Sequence, residues 1–156
     1  MSKKDLYRPN VAMIIVSSNY PDVKEIFIAQ RNDLLDIWQF PQGGIDSGEE
    51  VEEALFRELE EEIGTKKAKI VAEYPEWISY DFPERIAKSM QPYKGQIQRY
   101  FLLRLKKSAI IDLATKHPEF ISYKFVDVDE VLNLTAHFKK GVYATVIEYF
   151  KKEGYL

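Results

Sequence analysis

The chain has 156 residues, 46% of them hydrophobic and 30% charged, with a formal net charge of −3 and no cysteine. That length suits one domain with a sizeable core, and the missing cysteines exclude a disulfide framework, a thiolate metal site and a thiol nucleophile. The apolar run at 11–16 is too short for a signal-peptide core or a membrane span, so the expected setting is cytoplasmic.

In chain order, 11–17 and 23–30 are short β-rich runs split by Ser-Asn-Tyr-Pro-Asp, the pattern of a hairpin. Residues 38–40 form a further short strand entering the turn Pro41-Gln42-Gly43-Gly44. The helix that follows is expected to be capped by Asp46 or Ser47, with glutamates in its first turn favouring the dipole and Gly64 ending it. Residues 68–80 read as one or two strands, and 80–93, with its prolines and mixed charge, as a long loop. Strands follow at 96–105 and 123–126. A short helix is expected at 127–134 and a longer one at 138–152, where Val142, Val146 and Phe150 recur every fourth position. No repeat, low-complexity tract or linker interrupts this α/β pattern.

The helix after Gly44 carries the chemistry. Eight glutamates and a single basic residue, Arg57, fall within 43–65. At about 100° per residue, with Val51 at zero, Ala54 lies near ~300° and Leu55 near ~40°. Glu58, Glu62 and Glu61 fall near ~340°, ~20° and ~280°, so they extend the apolar face, whereas Glu53 and Glu60 fall near ~200° and ~180°, where a solvated stripe belongs. A carboxylate turned inward is costly unless something compensates it. Positions i, i+3 and i+4 also let the three converge. Converging carboxylates suit a hard divalent cation such as magnesium, which takes oxygen ligands and keeps waters for a phosphate substrate. The competing reading is a salt-bridged helix facing water, the usual fate of a charge run; the inward placement argues against it. A calcium-binding reading fails for lack of an EF-hand loop. Outside the acidic segment the chain is mildly basic, which suits a polyanionic substrate.

The spacing Gly43, five residues, Glu49, seven residues, Arg57-Glu58-Leu59, one residue, Glu61-Glu62, one residue, Gly64 resembles the Nudix box. Thr65 stands where that family prefers an aliphatic residue. The resemblance implies an α/β/α sandwich around a mixed sheet. It also implies hydrolysis of a nucleoside diphosphate linked to another group, with magnesium or manganese, two or more ions when substrate is bound. Tyr7-Arg8-Pro9-Asn10-Val11, Trp38-Gln39-Phe40-Pro41-Gln42, Pro118-Glu119-Phe120 and Phe138-Lys139-Lys140 with Tyr143 are similar to segments of the bacterial RNA 5′-pyrophosphohydrolases and the related dinucleoside tetraphosphate hydrolases. The likeness runs from Tyr7 to about Tyr149, so 1–156 is read as one Nudix domain with its core at about 7–149.

Carried over by position, the resemblance assigns the Gly43 carbonyl, Glu58, Glu61 and Glu62 to metal ions and Glu119 to a further ligand or the base. Arg57 would hold a box carboxylate in place. Arg8 and Lys139 would meet substrate phosphates, and Arg31 and Phe138 the bases. Tyr80 stands where a tyrosine recurs in dinucleoside polyphosphate hydrolases. Water would attack phosphorus with Glu61 or Glu119 as base. From the residues alone, Glu119 reads as a solvated loop acid, and Arg8, Arg31 and Lys139 as surface charges. Phe138 and Tyr80 fit a core as readily as a binding site. His117 and His137 stand isolated and are not read as ligands. The implied substrates are a triphosphorylated RNA 5′ end or a dinucleoside polyphosphate such as diadenosine tetraphosphate. No membrane, DNA-sequence or particular protein partner is indicated. A non-catalytic Nudix-like nucleotide-binding module is the third reading, and the intact box carboxylates oppose it.

Overall fold

Alternation along the first strand sets the architecture. In the computed structural model, which describes residues 6–33, 37–135 and 137–156, the strands are β1 (Tyr7–Val16), β2 (Glu25–Arg31), β3 (Trp38–Gln39), β4 (Gln42–Gly44), β5 (Ala68–Glu73), β6 (Ile78–Asp81), β7 (Gly95–Leu105) and β8 (Phe120–Asp127). The helices are α1 (Val51–Ile63), α2 (Glu84–Ala87), α3 (Val131–Leu134) and α4 (Lys140–Lys152), with a 3₁₀ turn at Val128–Glu130. Period two along β1 sends Val11, Met13 and Ile15 to one face and Ala12, Ile14 and Val16 to the other. The first set packs with Phe101 and Leu103 of β7 against Ala54, Leu55, Leu59 and Ile63 of α1. The second packs with Tyr100 and Leu102 against Val142, Tyr143, Val146, Ile147 and Phe150 of α4. Each fully buried aliphatic or aromatic side chain contributes about 1.5–3 kcal/mol, so both layers are anchored by the same two central strands.

The sheet is mixed. β1 and β7 run parallel from Tyr7↔Gly95 to Val16↔Arg104, while β4 pairs antiparallel with β1, β3 and β8 with β2, and β5 and β6 with β7. The path through the sheet is β3–β2–β1–β7–β5. This is the expected α/β/α sandwich.

Several expectations need correction. The first strand begins at Tyr7, because its ladder with β7 continues through Arg8, Pro9 and Asn10, which carry no alternation signal, and the last begins at Phe120, because its ladder with β2 continues across a register shift to Arg31. Residues 68–80 form two strands, as one of the two expected readings had it, but 80–93 is no plain loop: Tyr80 belongs to β6 and α2 follows Pro83. Only one helical turn, α3, follows the 3₁₀ turn in 127–134, and the last helix starts at Lys140. Neither Asp46 nor Ser47 caps α1. Its N-cap is Glu50, which makes no side-chain cap bond. Asp46 instead opens a tight turn: its N–H donates to the Glu49 carboxylate at 3.0 Å and its carbonyl accepts from Glu49 N–H. Gly64 ends α1 as expected, at φ 82°. Thr65 is buried, and its hydroxyl accepts from Lys67 N–H at 3.0 Å, a bond that an aliphatic residue there could not make. The N-terminal Lys3 and Lys4 lie outside the described residues.

Candidate active site

The adjoining N-terminal ends of β1 and β7 break the apolar rule of their own strands. Asn10, Gln96 and Gln98 are buried, and a buried amide must be hydrogen-bonded. Gln98 Nε2 donates to Asn10 Oδ1 at 2.7 Å and to Gln42 Oε1 at 2.9 Å. Gln42 Nε2 donates to Gln96 Oε1 at 3.1 Å, which also accepts from the Tyr80 hydroxyl. Asn10, Gln42 and Gln96, with Gln98 buried beneath them, floor a cleft of about 420 Å³ whose lining includes Arg8, Arg31, Gly43, Glu58, Glu61, Glu119 and Lys139.

One wall is α1 laid against β4. A Cβ on Gly43 would overlap the Glu58 carboxyl group, so glycine is what lets the strand and the acid meet. Arg57 ties the wall together. Its Nε donates to Glu49 at 2.7 Å, Nη1 to Glu58 at 2.8 Å and to Glu61 at 3.2 Å, and Nη2 to Glu49 and to the Gly44 carbonyl, each at 2.8 Å. The guanidinium and then the Asp46 backbone hold the Glu49 carboxyl down at about 2. Burial outweighs Arg57 at Glu58 and pushes its carboxyl up to about 7. Glu62 is 3% exposed. Its Oε2 accepts from Gln42 N–H at 3.0 Å, and its Oε1 has no protein partner. Burial first, then Glu119 and Glu58, raise its carboxyl well above the ordinary value. The wheel placed Glu58 and Glu62 correctly but put Glu61 too far inward. The buried arc of α1 runs through Leu59 to Ile63, which leaves Glu61 at its border with 58% of its side chain exposed at the cleft rim.

The facing wall comes from distant segments. Asp33 grips Arg31 with two bonds of 2.8 and 2.5 Å. The backbone and side chain of Asn32 donate to the carbonyls of Glu119 and Pro118 at 2.9 and 2.7 Å, and so carry the Glu119 loop to the cleft. Lys139 is buried, and its ammonium lies 5.8 Å from both the Tyr80 and Phe138 ring centroids. Burial, then Arg31, lowers it to about 8 against the pull of Glu62 and Glu119. Phe138 is 39% exposed and tilts on Tyr80 at 5.5 Å, so it is not core. Tyr80 lies beneath, in the floor. His137 accepts from Lys139 N–H at Nδ1 (3.2 Å), and its Nε2 lies 3.1 Å from the Trp38 carbonyl, which fixes the proton on Nε2 and braces the turn that carries Phe138 and Lys139. His117, though isolated in sequence, lines a hollow of about 200 Å³ beside Glu58, Glu61, Glu62 and Glu119.

Of the predicted site residues, Arg8, Arg31, Gly43, Glu58, Glu61, Glu119 and Lys139 line the cleft, Glu62 lines the adjoining hollow, Arg57 braces the acid wall from outside, and Tyr80 and Phe138 lie beside the Lys139 ammonium. The sequence reading missed Asp33, Asn32 and the amide floor. Gln96 and Gln98 stand two apart at the start of β7, but nothing local in the sequence says that Asn10 and Gln42 meet them.

The acid wall fits a divalent cation on its own chemistry. Glu62 Oε1 is an orphaned buried oxygen, and Glu58 sits in a burial that disfavours its charge. Among the described residues no three acid or histidine side chains are already closed into a cage. An open row of hard oxygens suits a cation that shares its shell with water and phosphate.

An α/β/α sandwich with an acid wall facing Arg8, Arg31 and Lys139 across a polar floor defines a class of protein that handles phosphate anhydrides beside divalent metal. The NUDIX domain family matches residues 6–146, and the chain belongs to that family, whose members generally use divalent metal ions. It is 59% identical over 156 residues, the full length of both chains, to a protein of Campylobacter jejuni subsp. jejuni named RNA pyrophosphohydrolase. It is 61% identical over 153 residues, 98% of this chain and 99% of the other, to one so named from a Nitratiruptor species. Among solved structures, the Escherichia coli dihydroneopterin triphosphate pyrophosphohydrolase shares the fold with a TM-score of 0.74 at 21% identity, over 93% of this chain and 97% of that one. Among the described residues no helix is long and apolar enough to cross a membrane.

Proposed function

We propose that the protein removes pyrophosphate from the 5′ end of triphosphorylated RNA, with residues 1–156 acting as one catalytic unit in the cytoplasm. The observation that carries this reading is the pairing, in one cleft, of the acid wall with three cations, one of them beside the exposed Phe138 ring, in a chain that shares its full length with relatives named for that activity. Glu58, Glu61, Glu62, Glu119 and the Gly43 carbonyl would hold magnesium or manganese, two or more ions with substrate present. Bound there, the metal would neutralise phosphate charge and lower the pKa of a water.

The chain's own residues do the rest. Arg57 fixes Glu58 and Glu61 against Glu49, so the wall is set before substrate arrives. Arg8 and Lys139 take the non-reacting phosphate oxygens. Arg31, held by Asp33, and Phe138 take the first bases, the ring by stacking. Glu61 or Glu119 accepts the proton of the water that attacks phosphorus; both border the same hollow.

The test compares kcat/KM for a 5′-triphosphate RNA and for diadenosine tetraphosphate, with magnesium and with manganese. A higher value for RNA is expected. A clear preference for the dinucleotide would replace this substrate with the second.

A further inference from the structure

β7 runs eight residues from Gln96, at the cleft floor, to Arg104, roughly 26 Å at ~3.3 Å per residue. At that far end Lys69, Arg104, Lys106 and Lys107 line a depression of about 390 Å³ together with Ser18 and Leu105. All four cations are exposed. Among the described residues none of them has a carboxylate within ion-pair distance, whereas neighbouring Lys66 reaches Glu60 at 3.9 Å. Lys69 and Arg104 are direct cross-strand partners. Like charges placed opposite each other destabilise a sheet, so packing does not explain them. Arg104 is steadied by a 2.8 Å bond to the Ser18 carbonyl.

The depression and the cleft lie toward opposite ends of β7. Arg104 shares a face of β7 with Gln96 and Gln98, the face that α4 covers. That helix starts beside cleft-lining Lys139 and ends at Lys151 and Lys152. Beyond its end the Tyr155 carbonyl accepts from the Tyr20 hydroxyl at 2.9 Å, and Tyr20 N–H donates to Ser17 in the loop that holds Ser18.

We infer that the Lys69–Arg104–Lys106–Lys107 depression binds the phosphodiester backbone of the RNA substrate downstream of its reacting 5′ end. This rests on the RNA reading of the cleft. The separation corresponds to roughly eight nucleotides of stacked strand at ~3.4 Å each. No aromatic side chain is among the lining residues, so the site takes backbone charge and reads no base.

The experiment uses the full chain and the variant Lys69→Gln/Lys106→Gln/Lys107→Gln, which keeps Arg104 and its bond to Ser18. Substrates are a 5′-triphosphate dinucleotide and a 5′-triphosphate RNA of about 20 nucleotides. With three phosphate contacts removed, at a slope of ~0.7 per contact, the log–log salt dependence of KM for the long RNA should weaken by about two. Its KM should rise roughly tenfold at low salt, while the dinucleotide keeps both kcat and KM. Equal behaviour of variant and parent on the long RNA overturns the site, and so does equal damage on both substrates. Binding of the same RNA with a 5′-hydroxyl, read by fluorescence anisotropy, tests the depression without chemistry. The parent should bind it more tightly than the variant; no binding, or binding to phosphatidylserine vesicles instead, overturns the site. Failure of the cleft reading shows separately, as no pyrophosphate released from either triphosphate.

Discussion

Glu62 is the residue on which the site depends most. It is buried, accepts one backbone bond, and keeps one oxygen without a protein partner. A group so placed destabilises the fold when ionised, so its presence is best explained by a cation. Glu62→Gln keeps the shape, can still accept from Gln42 N–H, and removes the charge. Turnover is expected to fall by two or more orders of magnitude, while the metal-free thermal midpoint stays equal or rises, because a neutral amide is cheaper to bury. Circular dichroism melts and pyrophosphate release measure the two. Turnover near the parent level would end the assignment of Glu62 to metal.

At the scale of elements, the close approach of β4 and α1 is the feature most sensitive to a small change. Gly43→Ala puts a methyl group where the Glu58 carboxyl lies, so the acid must swing away from Arg57. Activity should fall at least tenfold, on the general finding that small misplacements in a site cost about that or more. Leu59→Ala, in the apolar layer under the same helix, leaves a cavity. It should cost about 2–5 kcal/mol of stability, with a smaller loss of kcat in the protein that remains folded. Chemical denaturation beside steady-state kinetics separates the two variants; if Gly43→Ala loses stability and keeps kcat, the contact is structural only. The same elements show what the sequence could reveal. Four-residue spacing in α4 made one layer legible, and the box made α1 legible as chemistry, whereas β1, apolar at every position from Val11 to Val16, read as a strand without showing its two layers. The cap of α1 was not legible, because Asp46 bonds to Glu49 within a turn and not to the helix. Nor were the start of β1, where ladder pairing continues through polar residues, and the start of β8, where it crosses a register shift opposite Gln30 and Arg31. The amide floor depends on contacts between Asn10, Gln42 and Gln98, which lie up to 88 positions apart, and no local pattern reports such a distance.

The whole molecule should record its cleft in the pH dependence of stability. Glu58 is raised from 4.5 to about 7 and Glu62 is raised well above 4.5. Between about 4.5 and 7 the folded protein therefore holds protons that the unfolded chain has released, and stability falls as pH rises through that window. Lys139 is lowered from 10.5 to about 8. Between about 8 and 10.5 the folded protein has lost a proton that the unfolded chain keeps, so its contribution grows as pH rises. Glu49, held at about 2, acts in the opposite sense to Glu58: its support is present above about 4.5 and is lost as pH falls toward 2. Without metal, Glu58 and Lys139 together place their least favourable contribution near pH 7 to 8, and Glu62 adds to the loss as pH rises above 4.5. A divalent cation binds the ionised carboxylates and competes with protons for them, and a ligand stabilises the state that binds it. Magnesium should therefore raise the thermal midpoint clearly more at pH 8 than at pH 5, relative to the same protein in chelator. The difference should shrink in Glu58→Gln and in Glu62→Gln. A magnesium shift of the same size at both pH values, in the parent and in both variants, would place the cation away from these acids and leave Glu58 and Glu62 buried without a partner.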